Sequence, residues 1–213
     1  TYFRYREQFG QKSTAIPFTI GWSRDGRDSA LVPTTGRLTR VNVDVSFLAD
    51  QRYMRADLQL QQYFTPIRRV TLGINAEVGY GRGLGDKPYP IFKNFFGGGL
   101  GTVRGFDQGS LGQVDNLGAY LGGNRRFNLN TEVYLPIPGT GNDRTLRWFT
   151  YLDVGNVWGV NERLTLSSLR ASIGLGFSWV SPVGPIKISY GSPIRKEPTD
   201  RIQSLQFQLG TAF

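Results

Sequence analysis

One arginine stands among glycines and aromatics in the stretch Gly97-Gly98-Gly99-Leu100-Gly101-Thr102-Val103-Arg104-Gly105-Phe106-Asp107. Small neighbours let an arginine enter a confined space. There its planar guanidinium presents a fork that fits carboxylates with two parallel hydrogen bonds. The chemistry on offer is ion pairing and docking rather than bond making. The stretch lies within a long segment, about residues 81–125, that carries no strand pattern. Loops longer than roughly 12–15 residues are uncommon and usually functional or disordered.

Composition narrows the other chemistries. The 213 residues include no His and no Cys. Ser-His and Cys-His catalysis, disulfides, and imidazole or thiolate metal sites are thereby excluded. The lack of Cys also suits an oxidising compartment. Carboxylate sites stay open, but no acidic cluster has the form of one. Gly81-Arg82-Gly83-Leu84-Gly85 lacks the Gly-Lys-Ser/Thr ending of a phosphate loop, and no helix pattern follows it. The net charge is +9, but the basic residues are dispersed and match no RNA-binding or zinc-finger signature. They suit lumenal and loop arginines of a barrel better than a nucleic-acid surface. The expectation is a protein with no catalytic residues, no metal, no cofactor and no nucleic-acid partner, and so not an enzyme.

What must position Arg104 is a set of strands. The chain holds 14 Phe, 10 Tyr, 4 Trp and 28 Gly beside a single Met, a mix that favours strands and turns. Period-2 alternation marks nine strands, at about 15–24, 37–48, 53–64, 69–80, 126–135, 146–158, 169–180, 185–190 and 204–213. One face of each is mostly apolar with aromatics toward the ends, as in Leu169, Ala171, Ile173, Leu175, Phe177 and Trp179. The other face carries charge, amide and glycine. Parity places Glu132 and Asp153 on that polar face, opposite Val133 and Leu152. Strands of about ten residues with an apolar and a wet face are the pattern of a transmembrane antiparallel β-barrel. No run of 18 apolar residues exists, so no transmembrane helix is expected. With the end of the chain on the periplasmic side, the longest connection falls outside, as such barrels require. The link 25–36 is then long for a periplasmic turn, and 49–52 is short for an outer loop. Single-chain bacterial barrels normally have even strand numbers, and an open edge cannot face lipid. Nine strands therefore imply part of a larger barrel, or closure by self-association with a second copy. The opening at Thr1 falls mid-pattern, which suggests a fragment or a processed product.

At Gly101-Thr102-Val103-Arg104-Gly105-Phe106 the sequence resembles the outer-membrane insertase family typified by BamA. Three stretches support the resemblance: Gly21 to Asp25, Pro33-Thr34-Thr35-Gly36, and Pro88 to Phe96. The resemblance implies an all-β fold, a 16-stranded barrel of which this chain holds about nine C-terminal strands. Residues 1–14 would be the end of an outer loop, and 15–213 a partial barrel with a long inward-folding loop. It implies a bacterial outer-membrane machine that folds and inserts β-barrel proteins. Its partners would be outer-membrane lipid, substrate β-barrel proteins and, in the full-length protein, accessory assembly lipoproteins. The tip residues Val103, Arg104, Gly105 and Phe106 would fold back into the lumen, where Arg104 would meet Glu132 and Asp153. The terminal strand resembles the C-terminal recognition signal of outer-membrane barrels, carried here by Leu205, Phe207, Leu209 and Phe213.

A two-partner secretion pore of the same superfamily is the alternative, because it shares the Arg-Gly-Phe tip. A plain diffusion porin is disfavoured by the glycine-rich arginine tip. An outer-membrane hydrolase is disfavoured by the absence of His.

Overall fold

The structure, a computed structural model, describes residues 6, 7, 9, 10, 12–139, 144–182 and 184–210. Nine strands make one antiparallel sheet in chain order: β1 Ile16–Asp25, β2 Gly36–Leu48, β3 Tyr53–Ile67, β4 Val70–Gly83, β5 Arg125–Pro136, β6 Leu146–Trp158, β7 Arg170–Ser181, β8 Gly184–Arg195 and β9 Leu205–Leu209. Each strand pairs with its sequence neighbours, so the connections are hairpins, and the long segment between β4 and β5 is the widest of them. β1 and β9 are the two edges, each paired on one side among the described residues. The fold is all-β, as the alternation predicts. No helix among the described residues is long and apolar enough to cross a membrane.

Alternation in the sequence becomes alternation in burial. On β6, Arg147, Phe149, Tyr151 and Asp153 are buried on one face. Trp148 and Leu152 stay 47% and 45% exposed on the other. The same exposed apolar face recurs at Ile20, Trp22, Leu135, Ile173, Leu175 and Phe207. An apolar surface this continuous is rare on a soluble monomer and is what lipid would cover. The inner face is covered by the long segment. Val103, Phe106 and Leu111 of that segment form a buried apolar cluster of their own.

The structure departs from the sequence reading in several places. β3 runs on through Thr65-Pro66 to Ile67, where a link was expected. A register shift between Phe64 and Ile67 accommodates the proline, which has no N–H to donate. β8 continues past Tyr190 to Arg195. The alternation fades there because Gly191 and Pro193 interrupt it, while pairing with β7 carries on across a bulge. The link between β1 and β2 is folded rather than a plain turn. Asp28 accepts the N–H groups of Thr34 (2.8 Å) and Thr35 (3.1 Å), and Arg27 donates to Gln61 (3.1 Å). The central segment is not free of strand either. Gly105–Phe106 pairs with Ile202–Gln203, and Gln113–Val114 pairs with Tyr120–Gly122. The last strand is described only as Leu205–Leu209, and Phe213 lies outside the described residues, as do residues 1–5.

Candidate functional site: the loop arginine and its partners

β5 and β6 run side by side with Asn130 opposite Asp153 and Glu132 opposite Tyr151. Both carboxylates therefore face inward one rung apart. Arg104 enters between them at the end of the glycine-rich stretch. Its Nε donates to Asp153 Oδ2 (2.7 Å) and its Nη2 to Asp153 Oδ1 (2.8 Å), the two-pronged arrangement of guanidinium on carboxylate. Its backbone N–H reaches the same Asp153 Oδ2 (3.0 Å), and its Nη1 bonds Glu132. The guanidinium also lies 3.7 Å from the centre of the Tyr151 ring. Arg104 is 5% exposed and Asp153 not at all. A charge taken this far from water persists only with its partners in place.

The backbone around Arg104 fits this role. Gly105 has φ +85, a left-handed conformation that a side chain would strain. That turn sends Arg104 toward β5 and β6 while Phe106 is fully buried on the other side. Asn130 donates to the Thr102 carbonyl, and the Gly99 N–H donates to the Val103 carbonyl (3.0 Å). The loop is thus held by its backbone as well as by its charge.

Several members of the site were not singled out from the sequence. Lys187 of β8 donates to both oxygens of Glu132 (3.0 and 3.1 Å), so Glu132 is shared by two cations. Tyr134 donates its hydroxyl to the same carboxylate, and Arg147 lies 4.2 Å from the centre of the Tyr134 ring. Strand parity already puts Lys187, Tyr134 and Arg147 on the polar face, but nothing in the sequence says which rungs meet across the sheet. Beside the tip lies an open cavity of about 290 Å³, and Lys187 on its wall is partly in water. A second set anchors the loop nearer its start. Phe95 lies between two guanidiniums, Arg55 at 4.3 Å and Arg126 at 5.1 Å from its ring centre. Leu205, Phe207 and Leu209 of β9 project on the exposed face, away from all of these groups.

An antiparallel wall with an apolar outer face, and a long loop ion-paired to its inner face, defines the class: a transmembrane β-barrel wall with an inward-folded loop. The Omp85 superfamily domain matches residues 2–213, and the chain belongs to that superfamily. It is 38% identical over 225 residues to the outer membrane protein assembly factor BamA of Neisseria meningitidis serogroup B, an alignment that covers 92% of this chain and 28% of that protein. It is 28% identical over 205 residues to the human sorting and assembly machinery component 50 homolog, covering 89% of this chain and 44% of the human one. The chain therefore spans less than half the length of these relatives. The fold matches the crystal structure of Haemophilus ducreyi BamA lacking POTRA domains 1–3, with a TM-score of 0.84 and 23% identity over 92% of this chain and 42% of that one.

Proposed function

We propose that this chain is the barrel wall of an outer-membrane machine that folds and inserts β-barrel proteins, with the Val103-Arg104-Gly105-Phe106 tip docked in the lumen as a working part. Residues 81–125 are then the inward-folding loop, and residues 15–213 the partial barrel that carries it. The membrane is a bacterial outer membrane, its lipid meets the apolar face, and the substrates are other β-barrel proteins. Accessory lipoproteins would bind elsewhere on the full-length protein. The machine does no covalent chemistry, and the arginine serves to set geometry. The observation that carries this reading is the Arg104 ion-pair set on Asp153 and Glu132, in a chain whose relatives are named as assembly factors.

The test is insertion of a reporter β-barrel by the intact protein in proteoliposomes. Arg104→Ala should lower the insertion rate by at least tenfold, and Arg104→Lys should restore only part of it, because an ammonium cannot make the two-pronged bond. Unchanged insertion in Arg104→Ala would refute the role of the tip. Export of a soluble protein with no barrel insertion would point to the secretion pore instead.

A further inference from the structure

The tip that bonds β5 and β6 also holds the far edge of the sheet. Among the described residues β9 runs Leu205–Leu209 and pairs with β8, and the Gly191 N–H on the Ser204 carbonyl and the Gly210 N–H on the Pro185 carbonyl (2.8 Å each) extend that bonding. A further attachment comes from the loop. Gln206 is 4% exposed. Its Nε2 donates to the Phe106 carbonyl (2.7 Å), and its Oε1 accepts the Gly105 N–H (3.4 Å). Both ends of this buried amide are therefore satisfied by the tip backbone. Just upstream, Ile202–Gln203 forms a two-residue antiparallel ladder with Gly105–Phe106, and the Asp107 N–H donates to the Arg201 carbonyl (2.9 Å). Residues 201–203 and Gln206 thus bond the tip, while the Ser204 carbonyl and Leu205 between them bond β8.

A second fastening secures that run. Asp200 accepts Arg170 Nε (3.0 Å) and Nη2 (3.0 Å). This pair is nearly buried, at 8% and 1% side-chain exposure. Arg170 is itself tied to Asn156 (3.2 Å) and to the Ser168 carbonyl (2.9 Å). The segment entering β9 is therefore clamped to β7 as well as to the tip.

We propose that Gln206 is a positioning residue through which the docked tip latches the edge strand β9, with Arg170–Asp200 as the second fastening. Release of Arg104 from Asp153 would then loosen β9, although Arg104 itself bonds β5 and β6. A buried amide stripped of both partners favours reaching water, and local opening of β9 gives it that. The consequence for insertion rests on the function proposed above: with β9 no longer fastened to the tip, insertion should slow.

Hydrogen exchange on the intact protein in nanodiscs tests the latch directly. Gln206→Ala should raise exchange of the amides of residues 205–209 at least tenfold, while residues 99–104 stay protected. Arg104→Ala should raise exchange of residues 205–209 as well. Asp200→Asn, the mildest change, should give a smaller rise in the same residues. Unchanged exchange of β9 in Arg104→Ala overturns the proposal, as does loss of protection spread evenly over all strands in Asp200→Asn. The chain has no Cys of its own, so a disulfide between Ile202→Cys and Phe106→Cys, directly opposed in the short ladder, can be added to Gln206→Ala. It should restore protection of β9, and failure to do so on full oxidation also overturns the latch. Insertion is read separately on the same samples. Loosened β9 with insertion unchanged keeps the latch and refutes the insertion role. Lost insertion with β9 still protected refutes the latch alone.

Discussion

The long loop is anchored at two places of opposite design. At the tip, the loop supplies a cation and the wall supplies carboxylates: Arg104 on Asp153 and Glu132. Nearer its start, the loop supplies an aromatic ring and the wall supplies cations: Phe95 between Arg55 and Arg126. These wall arginines have carboxylates of their own. Arg126 lies 3.0 Å from Glu77, and Arg55 lies 3.9 Å from both Asp44 and Asp57. Remove Phe95 and each wall charge keeps a partner. Remove Arg104 and Asp153, fully buried, loses the guanidinium that bonds both its oxygens. The tip is therefore directional and intolerant of substitution, while the Phe95 anchor is adaptable. Gly79 lies under Phe95, where an added Cβ would come within 2.6 Å of the ring. This second anchor thus depends on shape, and the tip on charge.

The contrast orders a set of measurements. Arg104→Ala should give the largest loss, about 3–5 kcal/mol, because it leaves buried charge uncompensated. Unfolding in urea, heat-modifiability on a gel and protease resistance of residues 97–111 all read it. If these do not change, the tip does not depend on charge. Phe95→Ala should cost less, about 3 kcal/mol, the low end for truncating a buried Phe, because both wall arginines keep their carboxylates, and should expose residues 84–96 to protease while the tip stays protected. Loss of tip protection in that variant would make the two anchors one unit. Lys187→Ala should have a small effect, about 0.2–1 kcal/mol, as expected for a partly solvated pair. Glu132 keeps Arg104 and Tyr134.

The smallest effect should come from acid acting on the link between β1 and β2, which lines the same cavity as the tip but holds its Asp28 by hydrogen bonds within the link itself. Burial pushes the Asp28 carboxyl up, but the Thr34 hydroxyl and the Thr34 and Thr35 N–H groups outweigh it and bring it down to about 2. A carboxylate held below its ordinary value of 3.8 stabilises the fold above that value. The contribution is lost as pH falls from about 4 toward 2. Exchange of residues 28–35 should rise over that window, and Asp28→Asn should reduce the pH dependence. A rise confined to the tip instead would place the acid-sensitive group there.

Much of the wall was legible because one rule governs it. A strand with lipid on one side and a polar interior on the other must alternate, so Glu132, Asp153, Lys187 and Gln206 can all be assigned to the inner face by counting. The same rule fails where alternation is broken without loss of pairing. Pro66 in β3 and Gly191 with Pro193 in β8 are cases, since backbone hydrogen bonds continue past residues whose side chains give no pattern. Phe95 was hidden for a different reason. Its partners are residues 40 positions upstream and 31 downstream in sequence, and aromatics elsewhere in the chain look the same.

The residues alone determined that Arg104 sits in a permissive glycine-rich turn within an all-β chain, and that carboxylates line the polar face of the strands after it. That follows from side-chain parity and from the conformational freedom of glycine, both local properties. Only the tertiary structure decided that Glu132 is shared with Lys187, that Phe95 lies between two arginines, and that Gln206 fastens the edge strand to the tip. Those depend on register across neighbouring strands and on where the loop crosses the inner face. Both are set by the summed hydrogen bonds and packing of the whole sheet, and no short stretch of sequence contains them.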